Sequence, residues 1–193
     1  MALEKHKFSN AERGFSLLET LFATGLLATA LVALAQMFTI SVKNNQSART
    51  GSYTTALAEQ KMEQLRGLTF GFDTIGLPIT DTTTDTTQPI ETQNGGKGLT
   101  PSPGGTLVAN TNGWVDYIDQ FGNILGGGQS PQPKTAYTRR WSVDPLPTNP
   151  NNTLVIQVMV TRELHRGLAD QTGSTQRLRD EARIISIKTR KAQ

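Results

Sequence analysis

Residues 15–42 read Phe-Ser-Leu-Leu-Glu-Thr-Leu-Phe-Ala-Thr-Gly-Leu-Leu-Ala-Thr-Ala-Leu-Val-Ala-Leu-Ala-Gln-Met-Phe-Thr-Ile-Ser-Val, and from Thr20 to Val42 none of the 23 side chains is charged. As a helix rising about 1.5 Å per residue, those positions extend roughly 34 Å, enough to cross the hydrocarbon core of a bilayer. Nine Leu, Ile, Phe or Val lie between Leu21 and Ile40. On an insertion scale they favour the membrane by about 3–5 kcal/mol in sum. A helix apolar on every side needs either a protein interior or lipid around it. This chain has 193 residues, of which 36% are hydrophobic, so its core is too modest to enclose such a helix. Charges resume on both flanks, and Lys5, Lys7 and Arg13 place the leading end in the cytoplasm by the positive-inside tendency. The remainder of the chain is then expected outside.

Glu19 breaks the pattern. A carboxylate near the bilayer centre costs about 2.5–3.5 kcal/mol, comparable to the whole apolar gain, so it needs an interface or a partner. Its place one turn into the helix supplies the interface. If the chain were cut between Gly14 and Phe15, a new ammonium would stand at the positive end of the helix macrodipole, and a carboxylate four residues on, or on a neighbouring copy, would neutralise it.

The segment Arg13-Gly14-Phe15-Ser16-Leu17-Leu18-Glu19, followed by the apolar run, resembles the processing site of type IV prepilins and pseudopilins. In that family a membrane aspartyl peptidase cuts after the Gly and methylates the new N-terminal residue, usually Phe, and a Glu stands at the fifth mature position. Gly14, Phe15 and Glu19 match those places one for one. The resemblance implies cleavage at Gly14/Phe15, N-methylation of Phe15, and an assembly ion pair between Glu19 and the Phe15 ammonium of an adjacent subunit. Its implied partners are the prepilin peptidase, other pilin or pseudopilin subunits through the N-terminal helix, the inner-membrane assembly platform and membrane lipid. It departs from the major pilins at Gln36, where many carry a helix-breaking Pro, and in lacking the Cys pair that closes their C-terminal loop. A rival from another class is a secreted binding domain released by signal peptidase after Ala35, since Ala33-Leu34-Ala35 precedes Gln36 as an A-x-A site. The apolar region from Leu17 is longer than an ordinary signal core and has an acid at its start.

From Lys43 to Arg66 the pattern turns amphipathic, with Tyr53, Leu57, Ala58, Met62 and Leu65 at helical spacing among Asn44, Gln46, Arg49, Glu59, Lys61 and Glu63. The helix therefore continues, with Arg66 in its last turn and Gly67 as a left-handed cap. Leu57–Arg66 is also similar to the corresponding helix of minor pilins of the modification-protein type and of one class of minor pseudopilin. Residues 68–134 read mostly as exposed connection, rich in Thr, Gly and Pro, with a strand at Trp114–Ile118 and a turn near Gly122-Asn123. Three alternating strands follow: Tyr137, Arg139, Trp141 and Val143; then Leu154, Ile156, Val158 and Val160; then Arg183–Lys188. Their apolar face needs cover, which the amphipathic half of the helix supplies. The expected fold is thus α+β and pilin-like: a cleaved leader (1–14), a transmembrane or filament-core helix (15–42), an amphipathic continuation (43–66), and a head (67–193) with long loops and an antiparallel sheet.

Catalytic chemistry finds no foothold. With no Cys there is no thiolate nucleophile, disulfide or Cys-ligated metal. His6 lies in the leader, and His165 stands without a ligand partner at i+3 or i+4. Gly95-Gly96-Lys97-Gly98 lacks the spacing and hydroxyl of a phosphate loop. Asp81 and Asp85 lack the ligand pattern of a calcium loop. Arg139-Arg140 reads as a pair snorkelling at a sheet edge. A net charge of +3 argues against nucleic acid. The expected role is structural: a minor type IV pilin of the bacterial inner membrane and then of a filament, with a minor pseudopilin of type II secretion as the alternative, no enzymatic activity and no cofactor.

Overall fold

The computed structural model describes residues 14–163 and 180–190. One long helix, α1 (Leu17–Gly67), precedes seven strands: β1 (Phe70–Phe72), β2 (Pro78–Thr80), β3 (Val115–Ile118), β4 (Ile124–Gly127), β5 (Tyr137–Pro145), β6 (Thr153–Arg162) and β7 (Ala182–Thr189). The chain divides into two compact units at Asn45/Gln46. In the first, α1 carries the apolar run, and no residue from Phe15 to Val42 is buried.

In the second unit, the sheet order is β4-β3-β5-β6-β7, antiparallel throughout, with a separate β1-β2 hairpin. The expected three-strand meander is its β5-β6-β7 portion, and the predicted strand at 114–118 extends it on the other side. Register follows the two-residue period: Trp141 pairs with Val158 and Val143 with Ile156, while Ser142 pairs with Gln157 and Arg140 with Met159. One face thus collects the large apolar side chains. Leu57, Ala58, Met62 and Leu65 of α1 pack there against Trp141, Val143, Leu154, Ile156, Val158 and Val160, with Tyr53 and Ile184 at the margin. The fold is α+β, as the sequence predicts.

Three local expectations are corrected. Gly67 closes α1 without entering the left-handed region. The Lys188 ammonium donates to the Arg66 carbonyl instead, so a cation from β7 satisfies the helix end that a glycine cap would otherwise have closed. The 68–134 connection is not simply exposed: Leu99, Thr84, Thr86, Thr87 and Thr106 are buried. Polar chain can be buried there because its donors and acceptors are paired; Asp81 Oδ1 accepts from the Thr83 and Thr84 amides at 3.1 and 3.0 Å, and Asp85 Oδ1 from Thr87. Gly96 lies so close to Asp85 that a Cβ would meet its Cα at 2.1 Å. Finally, Arg139 and Arg140 do not snorkel at an edge, because β5 lies in the middle of the sheet and both are buried.

Candidate functional site

The sequence-predicted residues Gly14, Phe15 and Glu19 fall at the start of α1. Gly14 has nothing within 4 Å of the position a Cβ would take, and the Phe15 side chain is 79% exposed. Ser16 is the N-cap: its Oγ accepts the Glu19 amide at 3.2 Å and its carbonyl accepts the Thr20 amide at 3.2 Å. Glu19 is therefore the third helical residue, where a carboxylate is favoured by the unpaired amides and the macrodipole. Ser16-Leu17-Leu18-Glu19 has the residue order of a capping box, a local signal the sequence reading passed over. No salt bridge reaches Glu19 among the described residues. The basic residues Lys5, Lys7 and Arg13 of the expected leader, together with His6 and His165, lie outside the described residues.

Around and beyond Glu19 the helix presents a largely apolar surface, its large hydrophobic side chains from Phe15 to Val42 being 50–85% exposed. Polar residues within it are mostly satisfied by the helix itself. Thr20, Thr29 and Thr39 donate to the carbonyls of Leu17, Leu26 and Ala35 at 2.8–2.9 Å, and Thr24 to those of Thr20 and Leu21. Hydroxyls bonded in this way carry little desolvation penalty into hydrocarbon. By length and composition this is the one helix among the described residues able to cross a membrane.

A second constellation was missed by sequence reasoning. Lys61 of α1, Asp116 of β3 and Arg139 of β5, all with side chains 0–1% exposed, meet between helix and sheet. Arg139 grips Asp116 with two parallel bonds of 2.9 Å from Nε and Nη2, while its Nη1 donates to the Leu57 carbonyl at 2.9 Å and Gln60 Oε1 at 3.0 Å. Lys61 Nζ lies 2.8 Å from Asp116 Oδ2, donates to Gln64 Oε1 and the Thr86 carbonyl, and sits 4.0 Å from the centroid of the Trp141 ring. Burial pushes Lys61 down to about 8, with Arg139 adding to it and Asp116 opposing. Burial alone would raise Asp116, but Lys61 and Arg139 together hold its carboxyl below the ordinary range. Two cations thus share one anion, with the aromatic face and neutral acceptors covering the excess charge. The available signal was helical spacing: Lys61 stands between Leu57 and Leu65 at four-residue intervals, on the buried stripe.

Elsewhere, Asp81 is lifted by burial but held low by its bonds from Thr84 and Thr83. The Asp81 and Asp85 oxygens are turned onto Thr amides and hydroxyls. Among the described residues no group of three or more His, Asp or Glu is placed to hold a metal. Gly95 and Gly98 of the glycine-rich segment take positive φ, as turn residues do. No protein-family model, curated protein or solved structure matches the chain.

Proposed function

We propose that this chain is a minor type IV pilin: a structural subunit made as an inner-membrane precursor, cut after Gly14, N-methylated on Phe15, and inserted into a filament or its priming tip. The observation that carries this reading is a helix that starts three residues after Gly14, holds one acid in its first turn at Glu19, and then exposes uncharged, mostly apolar side chains as far as Val42. Lipid satisfies that surface before assembly, and neighbouring helices satisfy it afterwards, so the free energy of assembly comes from close packing of N-terminal helices. In the filament Glu19 pairs with the Phe15 ammonium of the adjacent copy. An unpaired carboxylate in a dry core is costly, so the pair also rejects misaligned neighbours. The head, with its independently packed core, is carried on the filament surface.

Mass spectrometry of the mature N-terminus tests the reading. Methylated Phe15 is the expected result. A chain beginning at Gln36 would make it a secreted domain, and one beginning at Met1 or Ala2 a simple membrane-anchored protein.

A further inference from the structure

Among the polar side chains of the apolar run, the threonine hydroxyls bond back to their own helix. Gln36 does not: its carboxamide is exposed and has no hydrogen-bond partner among the described residues. It stands seven residues before Lys43 and seventeen after Glu19. At about 1.5 Å per residue that is roughly 10 Å from one charged end and 25 Å from the other, beyond the reach of a glutamine side chain to either interface. A carboxamide carries both N–H donors and a carbonyl acceptor, and in hydrocarbon both must be matched from outside the helix.

We infer that Gln36 pairs with Gln36 of a second copy, making the apolar helix a parallel dimer in the membrane before filament assembly. The inference rests on the single-pass reading above and deepens it. Copies that insert from the same leader run in the same direction and hold Gln36 at the same depth. Because the group is self-complementary, two such carboxamides can exchange N–H···O=C bonds without any third residue. The flanking face permits the approach. Gly25, Thr29 and Val32 lie within about 40° of Gln36 at 3.6 residues per turn. Gly25 has nothing within 4 Å of its missing Cβ, and the Thr29 hydroxyl is turned onto the Leu26 carbonyl. Polar pairing of this kind fixes register between helices, as a buried amide does in a coiled coil.

The chain has no cysteine, so a single introduced thiol reports its own neighbours. Full-length Thr29→Cys, on the Gln36 face, and Leu27→Cys, on the opposite face, are to be oxidised in membranes isolated from expressing cells. A disulfide-linked homodimer is expected for Thr29→Cys at several-fold the yield of Leu27→Cys. Adding Gln36→Leu should lower the Thr29→Cys dimer on the order of tenfold, and Gln36→Asn should keep most of it. Equal yields on both faces, a yield indifferent to Gln36→Leu, or capture of a different protein in place of a second copy would each overturn the pair. The N-terminal mass of the same samples separates the two ideas. Without the crosslink, a chain starting at Phe15 removes the dimer and leaves the pilin reading standing. A face-specific, Gln36-dependent crosslink on a chain starting at Met1 removes the pilin reading and leaves the dimer.

Discussion

At Glu19 one carboxylate answers two local demands, since the first helical turn offers it unpaired amides and the proposed filament offers it an ammonium. The two demands separate under substitution. Glu19→Val leaves the Ser16 cap in place, so insertion and trimming should proceed, while entry into filaments should fail; normal amounts of the variant in sheared filaments would remove the ion pair. On the same proposal, Gly14→Asp puts a charge at the proposed scissile position and should leave the precursor at full length in the inner membrane, as read from its mass. In the head, the unequal charge count of the buried cluster makes a different asymmetry. Removing Asp116 strands two neighbouring cations, so Asp116→Asn should destabilise by about 3–5 kcal/mol. Lys61→Met leaves Arg139 and Asp116 as a balanced pair and sets an apolar chain on Trp141, so its cost should be much smaller. Trp fluorescence during urea unfolding in detergent gives both values. The pH response follows from the same residues. Lys61 binds its proton less tightly folded (about 8) than unfolded (10.5), so between those values the unfolded chain holds more protons and Lys61's contribution to stability rises with pH. Asp116, lowered on folding, contributes stability that is present above the unfolded carboxylate value and lost as pH falls through the folded one. The alkaline rise should shrink in Lys61→Met, leaving the part due to Lys188, whose ammonium is also lowered by burial and by Arg66; an unchanged rise would take it away from Lys61.

At the scale of elements, the contact between α1 and the sheet is built from two matched periodicities, every third or fourth residue on the helix and every second on β5 and β6. Leu65 is fully buried at that contact, and Leu65→Ala should cost about 2–5 kcal/mol in the same urea titration, whereas Glu59→Ala, exposed on the opposite side, should cost little. These periodicities are local, which is why Leu57, Ala58, Met62, Leu65 and the alternating residues of β5 and β6 are legible in the sequence alone. Lys61 occupied a legible position with an illegible residue type: charge suggests solvent, and only the joint arrival of Asp116 and Arg139 from strands far along the chain makes its burial tolerable. The same holds for Arg140, whose Nε donates to Asn110 Oδ1 at 2.9 Å across thirty residues of connection. Thr, Gly and Pro announced turns correctly between residues 68 and 134 but carried no period, so the buried places of those turns were not written locally. Lys188 reaching the end of α1 is likewise a meeting of distant segments, and it displaced the cap that the adjacent Gly67 suggested.

For the whole molecule, the two units differ in what they leave exposed. The unit ending at Asn45 exposes a long apolar run, while among the described residues the packed core, from Leu57 to Ala182, belongs to the unit beginning at Gln46. Glu19 and the proposed cut after Gly14 lie in the first, and the Lys61–Asp116–Arg139 cluster lies wholly in the second. Among the described residues nothing in the head's core therefore calls for the apolar segment to be present, and a chain starting at Gln46 should fold without detergent. Its helix would begin among Ser47, Ala48 and Arg49, and the first turns would fray, because among the described residues the core contacts of the helix begin only at Tyr53 and Thr54. Packing at Leu57, Met62 and Leu65 would keep the rest. The expected result is a monomer by gel filtration, with cooperative urea unfolding reported by Trp114 and Trp141, and with the cost of Leu65→Ala the same as in the full chain. Aggregation of this fragment, or loss of its cooperative transition, would mean that the apolar helix stabilises the head as well, and the separation of the proposed anchor from folding would fail.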